Sequence, residues 1–483
     1  MRRTRIVCTL GPASSSPSVV RRLIAAGMDV ARLNFSHGDA DQHRRAAASV
    51  REAARAAGRH VALLQDLQGP KIRSGTLDPP VVRLTRGRQV TLSARRVLGN
   101  EELVPVSHPQ LIESLRPGVR VLLADGQIEL RVVEAAGTEA RCTITRGGLL
   151  EARKGVIAPG RAVDLPALTD KDLADLQVGA EIGFDYVALS FVRSAADVGA
   201  CRSALASHQL DTPVVAKLER AEAIHRLDEL IDCADAVMVA RGDLGVEMSL
   251  AQVPAIQKDV IDRSNRAGVP VITATEMLES MVTSNRPTRA EASDVANAIW
   301  DGTDAVMLSQ ETSLGAHPVE ATRAMARICR AAEEHPTYQR GRGPGGDRRA
   351  SAAGTASVLS PQRTIAGAMA QAAATIAEEV GARAILAFTE SGATARRVSK
   401  ARPAVPVIAA SPHPHVLRRT ALYAGVVPLE AENTVDTDDM FAKGKCAALA
   451  AALVRPGDRI VFVAGVPVGE QGRTNLVKVE VVS

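Results

Sequence analysis

Residues 214–243 read VVAKLERAEAIHRLDELIDCADAVMVARGD, a pattern of strand, short helix and strand. The first apolar run, 213–217, leads into Lys217-Leu218-Glu219, and the second, 236–240, into Arg241-Gly242-Asp243. Side chains alternate along a strand, so Lys217 and Glu219 point to one face. Parallel neighbours lie about 4.8 Å apart, which would bring Glu219 and Asp243 together at the C-terminal ends. Two hard carboxylates with few other ligands suit Mg²⁺ or Mn²⁺ better than zinc. Lys217 would stand beside that ion as a fixed cation, the arrangement a developing phosphoryl or enolate charge requires. Taken alone, the stretch reads equally as a chance ion pair at a strand end.

Working outward, short β-branched runs alternate with helical stretches. Strands are expected at 5–10, 29–33 and 61–65, with helices at 17–26 and 40–57. After Gly69-Pro70 the rhythm changes to alternating β patterns and Gly/Pro turns, the mark of an inserted all-β domain. Strands then resume at 186–191, 213–217, 236–240, 270–273 and 305–308. Together these make about eight βα units interrupted once, so the fold class is α/β with a (β/α)₈ TIM barrel. The expected division is barrel at 1–69, inserted β domain at 70–160, barrel again at 161–337, a Gly/Arg/Ala/Ser-rich linker or mobile loop at 338–362, and a C-terminal α/β domain at 363–483. That last domain reads as helix 365–380, strand 384–388, helix 394–400, strand 405–409, a helix near 439–453, and strands 459–464 and 476–482.

Barrel chemistry sits at the C-terminal ends of the strands, and polar residues collect there: Arg32 to His37, Asp66, Lys217 and Glu219, Arg241 and Asp243, Thr275-Glu276, and Ser309-Gln310-Glu311. Arg32, Asn34 and Ser36, spaced by two, suit an anionic phosphate with a monovalent cation. Asn34-Phe35-Ser36 is also a glycosylation sequon and Arg241-Gly242-Asp243 an adhesion tripeptide; at strand ends both read as chemistry. Thr275-Glu276 alone is as much a helix N-cap as a catalytic hydroxyl.

The bulk numbers narrow the class. A chain of 483 residues exceeds one core. The net charge of +5 is dispersed arginine and aromatics are only 2%, which argues against stacking platforms for single-stranded nucleic acid and fits anionic small molecules at least as well. Six scattered cysteines without a CxxC pair indicate a reducing compartment and neither zinc nor disulfides. Gly11-Pro12 cuts the N-terminal apolar run, and no stretch reaches membrane-spanning length, so a cytoplasmic protein with no membrane partner is expected. Gly341, Gly343 and Gly346 match GxGxxG without the flanking strand and helix, and no Walker A or HRD/DFG sequence is present.

These residues resemble pyruvate kinase. The matching stretches are ARLNFSHG (31–38), DLQGPKIRSG (66–75), KGVIAPGRAVDLPALTDKD (154–172), VAKLERAE (215–222), DAVMVARGDLGVEM (235–248), TATEMLESM (273–281), RPTRAEASDVANAIWDGTDAVMLSQET (286–312) and FTESGATARRV (388–398). They span nearly the whole chain in order. The resemblance implies phosphoryl transfer from phosphoenolpyruvate to ADP, giving pyruvate and ATP. It implies that Glu219 and Asp243 hold Mg²⁺ and that Lys217 and Arg32 meet the phosphoryl group. Gly242, Asp243 and Thr275 would seat the substrate carboxylate, and Thr275 with Ser309 would relay a proton to the enolate. Asn34, Phe35, Ser36, His37, Arg73 and Lys154 would form the nucleotide side, Lys154 arriving from the inserted β-barrel domain as a lid. A homotetramer and a C-terminal regulatory domain are implied as well.

Departures from the family pattern carry their own expectations. The potassium site would use Asn34, Ser36, Asp66 and Leu67; the segment that commonly reads DTKGPEIR is here Asp66 to Arg73, with Lys71 in place of glutamate. A tethered ammonium there predicts an enzyme that needs no potassium. Gln310 stands where glycine is frequent, and Ile157-Ala158-Pro159-Gly160 replaces NLPG in a hinge. The effector loop Thr389, Glu390, Ser391, Gly392, Ala393, Thr394 keeps the composition of a phosphate nest, but Glu390 lowers its positive charge, leaving a sugar monophosphate, a nucleotide monophosphate or no effector open. An Mg²⁺-dependent aldolase shares the metal-plus-cation logic but leaves the lid and Lys154 unexplained. A non-catalytic scaffold would be expected to lose Lys217, Glu219, Asp243 or Thr275, and all four are present.

Overall fold

A computed structural model describes residues 1–161, 163–336, 338, 364–467 and 473–483. The expected 338–362 linker lies, apart from Tyr338, outside the described residues. The chain opens with β1 (Arg5–Leu10), β2 (Val30–Asn34) and β3 (Ala62–Asp66). An insertion follows: β4 (Val81–Leu84), β5 (Gln89–Ser93), β6 (Leu103–Pro105), β7 (Arg120–Leu123), β8 (Ile128–Ala136), β9 (Glu139–Arg146), β10 (Gly148–Glu151) and β11 (Val156–Ile157). Then come β12 (Tyr186–Leu189), β13 (Val214–Leu218), β14 (Ala236–Ala240), β15 (Val271–Ala274) and β16 (Ala305–Leu308). β1, β2, β3 and β12 to β16 pair in parallel and close into one eight-stranded barrel. Strands such as AVMVA and AVML are buried at every position, as strands covered on both faces must be. Helices between them start on strong caps. Asp39 with Gln42 and Thr288 with Glu291 each form a capping box.

Several strands begin one residue later than the periodicity suggests. Pro213 and Pro270 have no N–H for the ladder, and Asp29 is used differently. Asp29, Asp185, Asp235 and Asp304 directly precede β2, β12, β14 and β16. Each accepts the backbone N–H of the strand beside it, from Ile6 (2.9 Å), Leu63 (2.8 Å), Val214 (2.9 Å) and Val271 (2.8 Å). One carboxylate thus closes the floor of every second strand pair, and each meets a cation: Arg2, Arg51, Arg202 and Lys400.

The insertion forms a six-stranded sheet, ordered β11-β7-β8-β9-β5-β6, and a two-stranded sheet β10-β4, around one apolar core. The C-terminal part packs β17 (Ala384–Phe388), β18 (Val407–Ser411), β19 (Val426–Glu430), β20 (Arg459–Ala464) and β21 (Leu476–Val481) as a sheet ordered β19-β18-β17-β20-β21. Helix Pro414–Thr420 and β19 escape the sequence pattern because β19, VVPLE, is an edge strand interrupted by Pro428. This part seals the barrel floor. Its core is continuous with the barrel interior through Tyr186, whose hydroxyl donates to the Arg419 carbonyl at 2.7 Å. Arg418 reaches Asp185 at 2.8 Å, and Lys400 and Arg402 reach Asp304 at 2.8 and 3.0 Å. With the floor sealed, the open mouth lies at the C-terminal ends.

Candidate active site

Lys217, buried near the end of β13, is held by three oxygens. Its Nζ lies 2.7 Å from Ser190 Oγ, 2.8 Å from Glu219 Oε1 and 3.1 Å from Asp66 Oδ1. The other Asp66 oxygen takes Arg32 Nε at 2.6 Å, and Arg32 also donates to Thr9 Oγ1 at 2.9 Å. Asp66 therefore stands between two buried cations. Burial favours the neutral amine, yet Asp66 and Glu219 outweigh it and hold Lys217 above the ordinary lysine range. Burial likewise pushes Asp66 up, but Arg32 and Lys217 bring it below the usual carboxylate range. The Ser190 hydroxyl in turn donates a hydrogen bond to the Leu67 carbonyl at 2.7 Å. Sequence reading missed Ser190, although it directly follows β12 at the rim.

Glu219 is buried and accepts the Phe191 N–H at 2.7 Å, a bond that Phe191 reaches in the left-handed region at φ 56°. Burial raises the Glu219 carboxyl, Lys217 opposes this, and the charge of Asp243 adds to it. Asp243 lies in the first turn of helix Arg241–Glu247, which follows β14 without a loop. β13 and β14 pair in parallel as expected, and Glu219 feels Asp243 at their shared end. Among the described residues no group of three or more His, Cys, Asp or Glu side chains gathers as a metal centre. Two converging carboxylates are the donor set of Mg²⁺, which keeps water and substrate oxygens as its remaining ligands. The residues fit that ion.

Arg241 organises the neighbouring rim. It donates to the carbonyls of Ala274 (3.2 Å), Thr275 (2.7 Å) and Glu276 (3.3 Å) and pairs with Asp294 at 2.7 Å. The turn it grips is unusual: Thr275 and Glu276 have φ of 73° and 54°, and a β-branched residue rarely enters that region. Gly242 leaves room for this turn, since a Cβ there would meet Thr275 Cγ2 at 2.8 Å. Buried Glu311 accepts the N–H groups of Leu278 (3.0 Å) and Ser309 (2.6 Å), tying the Thr275 turn to the end of β16. Thr275 and Ser309 thus come from adjacent strands, β15 and β16.

A cleft of about 920 Å³ opens beside this cluster, lined by Asn34 and His37 together with Pro12, His43, Ser313 and Leu314. Asn34 Oδ1 accepts the Ser36 N–H at 3.1 Å. Burial lowers the His37 imidazole, and the charges of Arg73, Arg32 and Lys71 lower it further. Phe35 points elsewhere. Its ring is buried and stacked on His43 at 3.9 Å, in the turn that follows β2. Lys171 holds the Phe35 carbonyl at 2.6 Å. Lys154 also stands apart, its ammonium turned to Glu151 of the inserted domain at 3.0 Å. Lys71 differs from expectation too. It lies 3.4 Å from Asp243 and 3.9 Å from Asp125, not in contact with Asn34, Ser36 or Asp66. Asp66 is already saturated by Arg32 and Lys217, so the flexible ammonium takes the nearest open carboxylate.

The family model described as pyruvate kinase, barrel domain, matches residues 1–322, and the one described as pyruvate kinase, alpha/beta domain, matches residues 367–480. The chain belongs to the pyruvate kinase family. The pyruvate kinase of Geobacillus stearothermophilus is 45% identical over 490 residues, covering 100% of this chain and 81% of that protein. Pyruvate kinase 2 of Synechocystis is 44% identical, covering 100% of this chain and 79% of its own length. The pyruvate kinase of Corynebacterium glutamicum is 43% identical over 99% of this chain and 97% of its own. As a member of the pyruvate kinase family the chain is a phosphotransferase. Among the described residues no helix is long and apolar enough to cross a membrane.

In the alpha/beta domain of this pyruvate kinase family member, the loop after β17 borders a second pocket. Thr389, Ser391 and Thr394 line it. Thr389 Oγ1 accepts the Gly392 N–H at 2.8 Å, Gly392 has φ of 87°, and Thr394 bonds Thr474 at 3.0 Å. Glu390 is engaged by His413 Nε2 at 2.8 Å. Arg397 and Arg473, which sequence reading did not assign to the loop, also line the pocket and restore positive charge to it.

Proposed function

We propose that the chain transfers the phosphoryl group of phosphoenolpyruvate to ADP, giving pyruvate and ATP as the last step of glycolysis, with Mg²⁺ or Mn²⁺ and without potassium. The observation that carries this reading is the line Arg32, Asp66, Lys217, Glu219 at the barrel mouth, with a second carboxylate, Asp243, beside it. Two buried cations locked by shared carboxylates form a preorganised receptor for charge that develops during reaction. Lys217 and Arg32 would bind the phosphoryl group, and Lys217 would stabilise the enolate left behind. The backbone of Gly242 and Asp243, with the Thr275 hydroxyl, would seat the substrate carboxylate. Thr275 and Ser309 would relay the proton to the enolate carbon. Glu219 and Asp243 would hold the divalent ion, which when bound supplies positive charge to the substrate oxygens.

ADP would occupy the cleft lined by Asn34 and His37 and would draw on Ser36, whose N–H bonds Asn34, and on Arg73, whose charge acts on His37. Lys154 would join them on closure of the inserted domain as a lid, excluding water. Potassium independence rests on charge already in place. Asp66, the acidic member of the expected cation site, is neutralised by Arg32 and Lys217, and the Lys71 ammonium stands in the mouth where His37 and Asp243 both feel it. A cytoplasmic homotetramer is part of the same reading. The exposed Val479 and Val481 on edge strand β21 support an assembly contact. A small phosphorylated effector would take the Thr389, Ser391, Gly392, Thr394 loop.

The test is pyruvate formation from phosphoenolpyruvate and ADP with Mg²⁺ in sodium- and potassium-free buffer, repeated with potassium, for the wild type and Lys71→Glu. Full wild-type activity without potassium, and potassium dependence acquired by Lys71→Glu, are expected. Activity only with potassium in the wild type overturns the Lys71 reading and leaves the reaction; silence under both conditions overturns the reaction itself.

A further inference from the structure

Between the barrel floor and the C-terminal part lies a cavity of about 320 Å³ that the catalytic reading does not use. Its upper wall is the turn after helix Leu227–Cys233, with Asp232 and Asp235, and the end of helix Val253–Ala267. Its lower wall is the start of helix Ile365–Glu379 and the middle of helix Ala393–Lys400, which contributes Arg396 and Arg397. A volume of this order is that of a site for a small metabolite.

The charges on the lower wall are out of balance. Among the described residues neither Arg396 nor Arg397 meets a carboxylate within ion-pair distance, although Arg202, Arg266 and Lys400 on the same cavity all do. Arg396 Nε and Arg397 Nη1 are buried with no hydrogen-bond partner. Burial and the neighbouring Arg396 charge both lower the Arg397 guanidinium from its ordinary range. Two adjacent, half-buried guanidiniums with no carboxylate within ion-pair distance are costly unless an anion arrives from solution. The first turn of helix Ile365–Glu379 adds the positive end of a fifteen-residue dipole at Gly367.

We infer that this interdomain cavity is an anion site for a small phosphate monoester of a polyol, distinct from the Thr389–Thr394 loop. Paired guanidinium forks match the tetrahedral dianion, which neutralises both arginines at once. Asp232 and Asp235 on the opposite wall are placed to accept polyol hydroxyls. Arg397 borders both pockets, whereas Arg396 lines this one alone. Arg396 therefore separates the two sites experimentally.

The experiment is equilibrium dialysis of the full chain against labelled glycerol 3-phosphate in a phosphate-free chloride buffer. The variants are Arg396→Gln, Arg396→Lys and Ser391→Asp, the last placing a carboxylate in the effector loop. Wild type should bind with a dissociation constant of about 1 mM or tighter. Arg396→Gln should weaken that binding about ten-fold or more, for loss of one charge-assisted contact. Arg396→Lys should fall between them, and Ser391→Asp should retain the site. Unchanged phosphoenolpyruvate turnover without added anion shows that the Arg396 variants are folded. The inference is overturned if wild type binds nothing at that concentration, if both Arg396 variants bind like wild type, or if Ser391→Asp removes all binding.

Discussion

Replacing Lys217 by methionine keeps the length of the side chain and removes its charge. In the wild type the ammonium has no slack: Ser190, Glu219 and Asp66 hold it at 2.7, 2.8 and 3.1 Å. A unit charge about 4 Å from developing negative charge, at an effective dielectric near 20, contributes ~4 kcal/mol. At about 1.4 kcal/mol per decade that is roughly 10³-fold in rate. Loss of one oxyanion donor, the closest general comparison, costs about 10²–10³-fold. Both routes place kcat of Lys217→Met at least 10²-fold below wild type. The carboxylates behave unequally. Asp66 keeps Arg32 at 2.6 Å, whereas Glu219 loses its one ion-pair partner among the described residues and keeps only the Phe191 N–H. The variant should therefore still fold and still bind Mn²⁺ through Glu219 and Asp243. Lys217→Arg should not rescue it, because a planar fork cannot serve three oxygens converging on one point. The assay is steady-state pyruvate formation at saturating phosphoenolpyruvate, ADP and Mg²⁺, with Mn²⁺ binding followed by paramagnetic resonance and the thermal midpoint as controls. A kcat within about ten-fold of wild type, with fold and Mn²⁺ binding retained, would refute the assignment of Lys217 as the charge-stabilising group.

Two further outcomes follow from the rim and the floor. Arg241→Lys replaces a guanidinium that serves three carbonyls and Asp294 with an ammonium that cannot span them; a misplaced Thr275 should lower kcat about 10- to 100-fold with little change in the thermal midpoint, and an unchanged kcat sinks its positioning role. Asp304 is held below the usual carboxylate range, where burial pushes it up but Arg402 and Lys400 outweigh burial. Its contribution is present above the unfolded value near 3.9 and is lost as pH falls through the depressed folded value. Asp304→Asn should thus lower stability by about 3–5 kcal/mol in urea at neutral pH, with a gap that closes in acid; an equal gap at both pH values counts against the ion-pair account.

The barrel was legible because its chemistry is written into the strands themselves. A run such as VVAKL or AVMVA ends in the side chain that the barrel needs at its mouth, so finding the strand also finds Lys217 or the turn to Asp243. Reading by two put Arg32 and Asn34 on one face of β2, and the structure brings Arg32 to Asp66 beside Lys217. It kept Asn34 to His37 as a block and so did not foresee that the Phe35 ring is buried against His43. The floor carried an unread signal: aspartate directly before β2, β12, β14 and β16, one per second strand, is a repeat visible without coordinates.

What stayed hidden are residues whose work is done on a distant segment. Arg241 belongs to the most recognisable tripeptide of the rim, yet its guanidinium is committed to carbonyls 33–35 positions away, and only the tertiary structure can pair them. Lys71 shows the same limit from the other side. Its charge follows from sequence, but a four-carbon stem can reach several carboxylates, and which one it takes depends on which are already neutralised. Asp66 is filled by Arg32 and Lys217, so Lys71 goes to Asp243. A cation that replaces potassium by contact would have to displace one of those partners. One that replaces it by field needs only to stay near the mouth, beside Asp243. On the proposed reading Lys71 would act as a charge and not as a ligand, since its ammonium pairs with Asp243 at 3.4 Å and leaves Asp66 to Arg32 and Lys217.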